Sequence, residues 1–128
     1  MTTRQCLVYV IDDDAAVRKA LARLLRAGNC DVETFASPED FLAGPRRDEN
    51  VCVITDLRMP GTTGFDLQKQ AALCGMRLPI IVLSASDDVQ AREHARELGA
   101  VAFFRKPVDD QALLDAIWWA IWGVRAGE

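Results

Sequence analysis

Leu7-Val8-Tyr9-Val10-Ile11-Asp12-Asp13-Asp14 is the stretch that decides the fold: an unbroken apolar run that stops at three acids. Val51-Cys52-Val53-Ile54-Thr55-Asp56 repeats the pattern. Short apolar runs ending abruptly in charge read as buried parallel strands reaching the edge of a sheet. If the two strands are neighbours, the carboxylates of Asp12, Asp13 and Asp56 converge. Two unit charges ~4 Å apart repel by about 4 kcal/mol at an effective dielectric near 20, so such a cluster calls for a cation. An all-oxygen donor set favours a hard ion, Mg²⁺ most naturally.

Outward from these runs, strands and helices alternate. Val17, Ala20, Leu21, Leu24 and Leu25 recur at helical spacing, and Gly28-Asn29 ends that helix. Asp31-Phe35 reads as a second strand. Ser37-Pro38-Glu39-Asp40 is a helix start, with Ser as N-cap, Pro first and acids in the opening turn. Gly44-Pro45 stops that helix, and the polar loop Arg46-Asn50 leads to strand three. Met59-Pro60-Gly61 is a turn, and Gly64 opens onto a helix reaching about Leu73, with Gly75 at its C-terminus. Ile80-Leu83 is a fourth strand ending at Ser84. Asp88-Leu98 is helical and closes at Gly99. Val101-Phe104 is a fifth strand running into Arg105-Lys106-Pro107, and Asp109 caps a last helix to about Trp122. This βα alternation predicts an α/β fold with a parallel sheet covered on both faces, whose ligands bind at the carboxyl ends of the strands. Asp12, Asp13, Asp56, Ser84 and Lys106 all fall at such ends.

The 128 residues suit one domain with one core, and half of them are hydrophobic. A net charge of −4 argues against sequence-independent binding to nucleic acid or an anionic membrane. Cys6, Cys30, Cys52 and Cys74 form no CxxC pair, which favours reduced, buried thiols in a cytoplasmic protein over a disulfide framework. Met1-Gln5 does not begin a signal peptide, because the apolar run after it is short and ends in acids. No segment has the length of a membrane span.

Asp56, alone after its strand, is the candidate nucleophile: a carboxylate can attack phosphorus and hold the phosphoryl group as an acyl phosphate. Asp12 and Asp13 would hold the metal, and Lys106 places a cation opposite. Three carboxylates then balance Mg²⁺ plus one ammonium until a phosphoryl group arrives. Ser84 is the hydroxyl that could meet the added charge, leaving room into which Phe103 could turn. Each residue also has a plainer reading. The acids after the first strand could be a solvated helix cap, which accounts for one Asp but not for Asp56 on another strand. Lys106 could be a surface lysine, and Ser84 a helix cap. His94 lies among Arg92, Glu93, Arg96 and Glu97, so it reads as part of a solvated face.

With these residues in hand, the whole chain resembles the receiver domain of bacterial two-component response regulators. The matching pieces are Val10-Ile11-Asp12-Asp13-Asp14, Thr55-Asp56-Leu57-Arg58-Met59-Pro60-Gly61 with Gly64, Leu83-Ser84-Ala85, and Phe103-Phe104-Arg105-Lys106-Pro107. The resemblance implies a (βα)₅ doubly wound, five-stranded parallel sheet of order 2-1-3-4-5, the flavodoxin-like receiver fold, filling 1–128 as a single receiver domain without an output domain. It implies that Asp56 accepts phosphate from the phosphohistidine of a sensor histidine kinase. It implies Mg²⁺ (Mn²⁺ can substitute) bound by Asp13, Asp56 and the Arg58 carbonyl, with Asp12 acting through water. Ser84 stands at the Ser/Thr switch position, Phe103 at the aromatic switch position, and the Lys106-Pro107 peptide is expected to be cis. The domain would catalyse only its own phosphoryl gain and loss. Thr55-Gly61 looks most like receivers that precede a LuxR-type helix-turn-helix. Arg58 and Ser86 occupy positions that in the family tune phosphoryl lifetime. Ser84-Asp88 lacks the glycines many of that subgroup carry.

On the last helix, Leu114, Ile117, Trp118 and Ile121 make one apolar stripe, leaving Trp119 outward and Trp122 at the rim. Exposed tryptophans suggest a contact surface. The expectation is an output face built from helix four, strand five and helix five, meeting an output domain, a downstream protein or a second copy on phosphorylation. This domain itself would contact neither nucleic acid nor membrane. Single residues separate the alternatives. A flavodoxin-like redox protein needs a phosphate-cradling loop where this chain has Asp12-Asp13-Asp14. A phosphohydrolase with an Asp nucleophile needs an acid where this chain has Arg58. A pseudo-receiver, acting as an interaction module without phosphotransfer, would not need the set Asp12, Asp13, Asp56, Ser84 and Lys106.

Overall fold

Each apolar run becomes a strand. In a computed structural model, which describes residues 6–44, 49–59, 61, 63–76, 78–86 and 88–123, strands and helices alternate along the chain. The order is β1 (Leu7–Ile11), α1 (Ala15–Ala27), β2 (Asp31–Phe35), α2 (Pro38–Ala43), β3 (Val51–Asp56), α3 (Gly64–Leu73), β4 (Ile80–Ser84), α4 (Val89–Glu97), β5 (Ala102–Arg105) and α5 (Asp110–Trp122). The expectations for Met1–Gln5, Pro45, most of the loop after it, Pro60, Asp87 and the last residues lie outside the described residues.

The sheet is parallel throughout, in the order β2-β1-β3-β4-β5. The fold is therefore the five-stranded, doubly wound flavodoxin-like architecture. The central strands are apolar at nearly every position because helices cover both faces. Strand pleating then sorts them. Leu7, Tyr9 and Ile11 face a core completed by Phe41 of α2, Leu67 of α3 and Ala91 and Ala95 of α4. Val8 and Val10 face a second core completed by Leu21 and Leu25 of α1 and by Leu113 and Ile117 of α5.

Helix starts follow the capping chemistry. Asp14 accepts from the backbone N–H groups of Ala16 and Val17. Ser37 accepts from Asp40, with Pro38 in the first turn. Thr63 and Asp66 form a reciprocal capping box. The seating of α4 is slight: its buried residues are Ala91 and Ala95, while Val89 is 70% exposed. The side-chain amide of the buried Gln68 donates to the Ala95 carbonyl at 2.9 Å and ties α3 to α4.

Two expectations are corrected. The fifth strand begins at Ala102, and Val101 stays exposed ahead of it. On α5 the buried row is Leu113 and Ile117, four apart; Leu114 and Ile121 flank it. Trp118, expected on the inward stripe, is 47% exposed, about as open as Trp119 at 49%. Its ring instead rests at 60° on Trp122, centroids 5.7 Å apart, and Trp122 is only partly buried.

Candidate functional site

Register brings the acids together. Ile11 pairs with Thr55, so the next residues, Asp12 and Asp56, leave neighbouring strands at the same level. The Asp12 amide donates to Phe35 and holds the chain end in the sheet. The three acids after β1 then divide their work. Asp14 caps α1, while Asp12 is buried and Asp13 exposed. One carboxylate oxygen each from Asp12, Asp13 and Asp56 lies within 4.8 Å of the others. This all-oxygen set fits a small, hard divalent cation.

Lys106 bridges two of the acids. Its Nζ is 3.1 Å from Asp12 Oδ2 and 3.1 Å from Asp56 Oδ1. The Lys106 amide donates to the Ser84 carbonyl at 2.7 Å, which fixes where the side chain departs, and the following peptide is cis. Burial works against the ammonium, but the hydrogen bonds and charges of Asp12 and Asp56 outweigh it and hold Lys106 above its ordinary pKa. Burial raises Asp56, and the charges of Asp12 and Asp13 add to this. Lys106 opposes the rise without cancelling it.

Ser84, the last residue of β4, is buried, and its Oγ accepts from the Ser86 amide at 3.1 Å. Phe103 pairs across with Val82 and is half-buried. The Arg92 guanidinium of α4 sits 5.3 Å from its ring centroid. Arg58 is exposed in the loop two residues past Asp56. Asp12, Asp13, Asp56 and Lys106 thus form one cluster, with Ser84 joined to it through the Lys106 backbone. Phe103 lies further along the sheet edge, and Trp119 and Trp122 lie apart on α5. His94 is exposed and meets Phe65 edge-on at 4.5 Å.

Two supporting residues carry no signal of their own in the sequence. Arg18 donates to the Asp12 carbonyl at 2.6 Å, yet in sequence it is one cation among several on α1. Arg92 gives no signal before α4 is set against β5. Gly64 carries a steric demand: a Cβ there would meet the Asp56 carbonyl oxygen at 2.8 Å, so α3 starts directly against the end of β3.

A family profile for the response regulator receiver domain matches residues 8–118. The response regulator protein TodT of Pseudomonas putida is 40% identical over 117 residues, covering 91% of this chain and 52% of TodT. The transcriptional regulatory protein TdiR of Thauera aromatica is 43% identical over 110 residues, covering 86% of this chain and 48% of TdiR. This chain therefore spans about half the length of those relatives. Among solved structures, FixJ-N superposes with a TM-score of 0.86 at 33% identity, covering 97% of this chain and 99% of that one. A response regulator receiver protein from Burkholderia phymatum superposes with a TM-score of 0.77 at 38% identity, covering 97% and 100%.

Proposed function

The chain belongs to the response regulator receiver domain family, and from that premise we propose that it is a phosphorylation switch whose acceptor is Asp56. The reading rests on one observation: three carboxylates from two strand ends meet at one point, with Lys106 bridging Asp12 and Asp56. The donor is the phosphohistidine of a sensor histidine kinase. An Asp56 carboxylate oxygen forms the new bond to phosphorus, and the electron pair of the broken N–P bond stays with the imidazole. Asp13, Asp56 and the Arg58 carbonyl would hold Mg²⁺, with Asp12 behind them. When bound, the ion offsets charge between the acceptor and the phosphoryl oxygens. Lys106 aims the Asp56 carboxylate and answers charge from the opposite side. Ser84 supplies a hydroxyl donor once the phosphoryl oxygens are present, its oxygen already accepting from the Ser86 amide. Phe103 can then turn inward and alter the face of α4, β5 and α5. That shift favours one of two conformations that already interconvert.

Residues 1–128 act as one receiver unit in this reading. Its output is a transcription-regulating domain or partner, as the name of TdiR says of that protein. Trp119 and Trp122 belong to the candidate contact surface, which could also pair two copies. No helix among the described residues is long and apolar enough to cross a membrane.

Intact mass after incubation with acetyl phosphate tests the reading. One phosphoryl adduct is expected on the wild type with Mg²⁺, none with chelator, and none on Asp56→Asn. A folded wild type that takes no adduct and binds no beryllofluoride would instead be an interaction module without phosphotransfer.

A further inference from the structure

Two cysteines meet at the opposite end of the sheet. Leu7 pairs with Asp31, so the preceding residues, Cys6 and Cys30, stand side by side at the entrances of β1 and β2. The Asp31 amide donates to the Cys6 carbonyl at 2.9 Å and pins the two backbones together there. Neighbouring strands lie about 4.8 Å apart, inside the roughly 4.4–6.8 Å Cα separation that a disulfide spans. Both side chains belong to the core on the α1 and α5 side. Cys6 Sγ lies 3.7 Å from the Asn29 carbonyl oxygen, to which it donates, so its thiol is turned toward the residue just before Cys30. The pair is not sealed off: both cysteines line a groove of about 310 Å³ under α5, with Trp118 and Trp122 on its far wall.

We propose that Cys6 and Cys30 are a redox-active dithiol that a small-molecule disulfide of the glutathione class converts to a cross-strand disulfide. One protein sulfur, as thiolate, attacks the oxidant and releases one small thiol. The other protein sulfur then attacks the mixed disulfide and releases the second. The protein loses two electrons and two protons, and the oxidant leaves as two thiols. Burial, then the neighbouring Cys6, pushes the Cys30 thiol up to about 12, so the exchange is slow at neutral pH. The same burial withholds thiolate stabilisation from the reduced pair, which favours the disulfide once it has formed. Cys52, in the same core, is fully buried and does not line the groove, and Cys74 is exposed.

The test uses the full chain with Cys74→Ser, incubated folded in buffers of rising glutathione disulfide, then quenched, unfolded and alkylated. Of its three remaining thiols, two should become unalkylatable with the loss of two hydrogen masses, and peptide mapping should join Cys6 to Cys30. Tryptophan emission should fall in parallel, because Trp118 and Trp122 share the groove, and dithiothreitol should restore it. Cys30→Ser and, separately, Cys30→Ala should abolish both changes. Three alkylatable thiols at the most oxidising ratio, a bond through Cys52, or a glutathione adduct that never resolves would each overturn the proposal.

Discussion

Lys106 is one cation serving a crowded set of acids. Without it, the buried Asp12 carboxylate loses its charged partner while its neighbours still repel it. Lys106→Met should therefore lower stability by about 1–3 kcal/mol in chelator, read from urea unfolding, and added Mg²⁺ should restore part of the loss. Asp56→Asn should act the other way. Removing one of the converging charges makes the ion-free protein more stable by roughly 1 kcal/mol, seen as a higher Tm. The pH dependence has a definite sign. Asp56 titrates above its ordinary 3.8 because of burial first and its acidic neighbours next. The folded state thus binds this proton more tightly than the unfolded chain, and the benefit is lost as pH rises through the folded pKa. In chelator, the stability advantage of Asp56→Asn over the wild type should widen across that window and level off above it.

Between β3 and α3 the chain passes so closely that only a hydrogen fits at Gly64, whose amide donates to the Leu57 carbonyl at 2.8 Å. Gly64→Ala should force α3 off the strand end, costing about 1–3 kcal/mol in unfolding experiments, and should weaken Mg²⁺ binding because Asp56 moves with its carbonyl. Across the α4–β5 groove, Arg92 holds the Phe103 ring by a contact worth about 0.5–1 kcal/mol. Arg92→Ala should ease the inward turn of that ring and tighten beryllofluoride binding by roughly two- to five-fold, measured by equilibrium titration. In α5 the stripe read from 3.6-residue spacing was not the buried one, because Leu113-Leu114 and Ile117-Trp118-Trp119-Ala120-Ile121-Trp122 put apolar side chains on almost every side. Periodicity cannot choose a face under those conditions. The face that packs on the sheet is the one carrying Leu113 and Ile117.

At the scale of the molecule, the centre of the sheet was legible because β1 and β3 announce their own ends. The apolar run before Asp12 and the one before Asp56 carry both the strand assignment and the position of the acids, and parallel register does the rest. The supports around the site were not legible, since Arg18 and Arg92 become distinctive only when separate elements pack. Closure of the acidic cluster around an ion should stabilise the whole fold: Mg²⁺ at a hundred times its Kd should add about 2.7 kcal/mol, and Asp13→Asn should lose that increment. The fold is also unevenly anchored. Two alanines, one side-chain amide and the ring contacts of Arg92 and His94 seat α4, whereas α1 and α5 bury leucine and isoleucine. Little apolar area holds that segment, so it opens at a small fraction of the free energy of global unfolding. In deuterated solvent its amides should exchange well ahead of those in β1 and β3, which makes α4 the hinge of an otherwise stiff body, free to be repositioned without disturbing the rest.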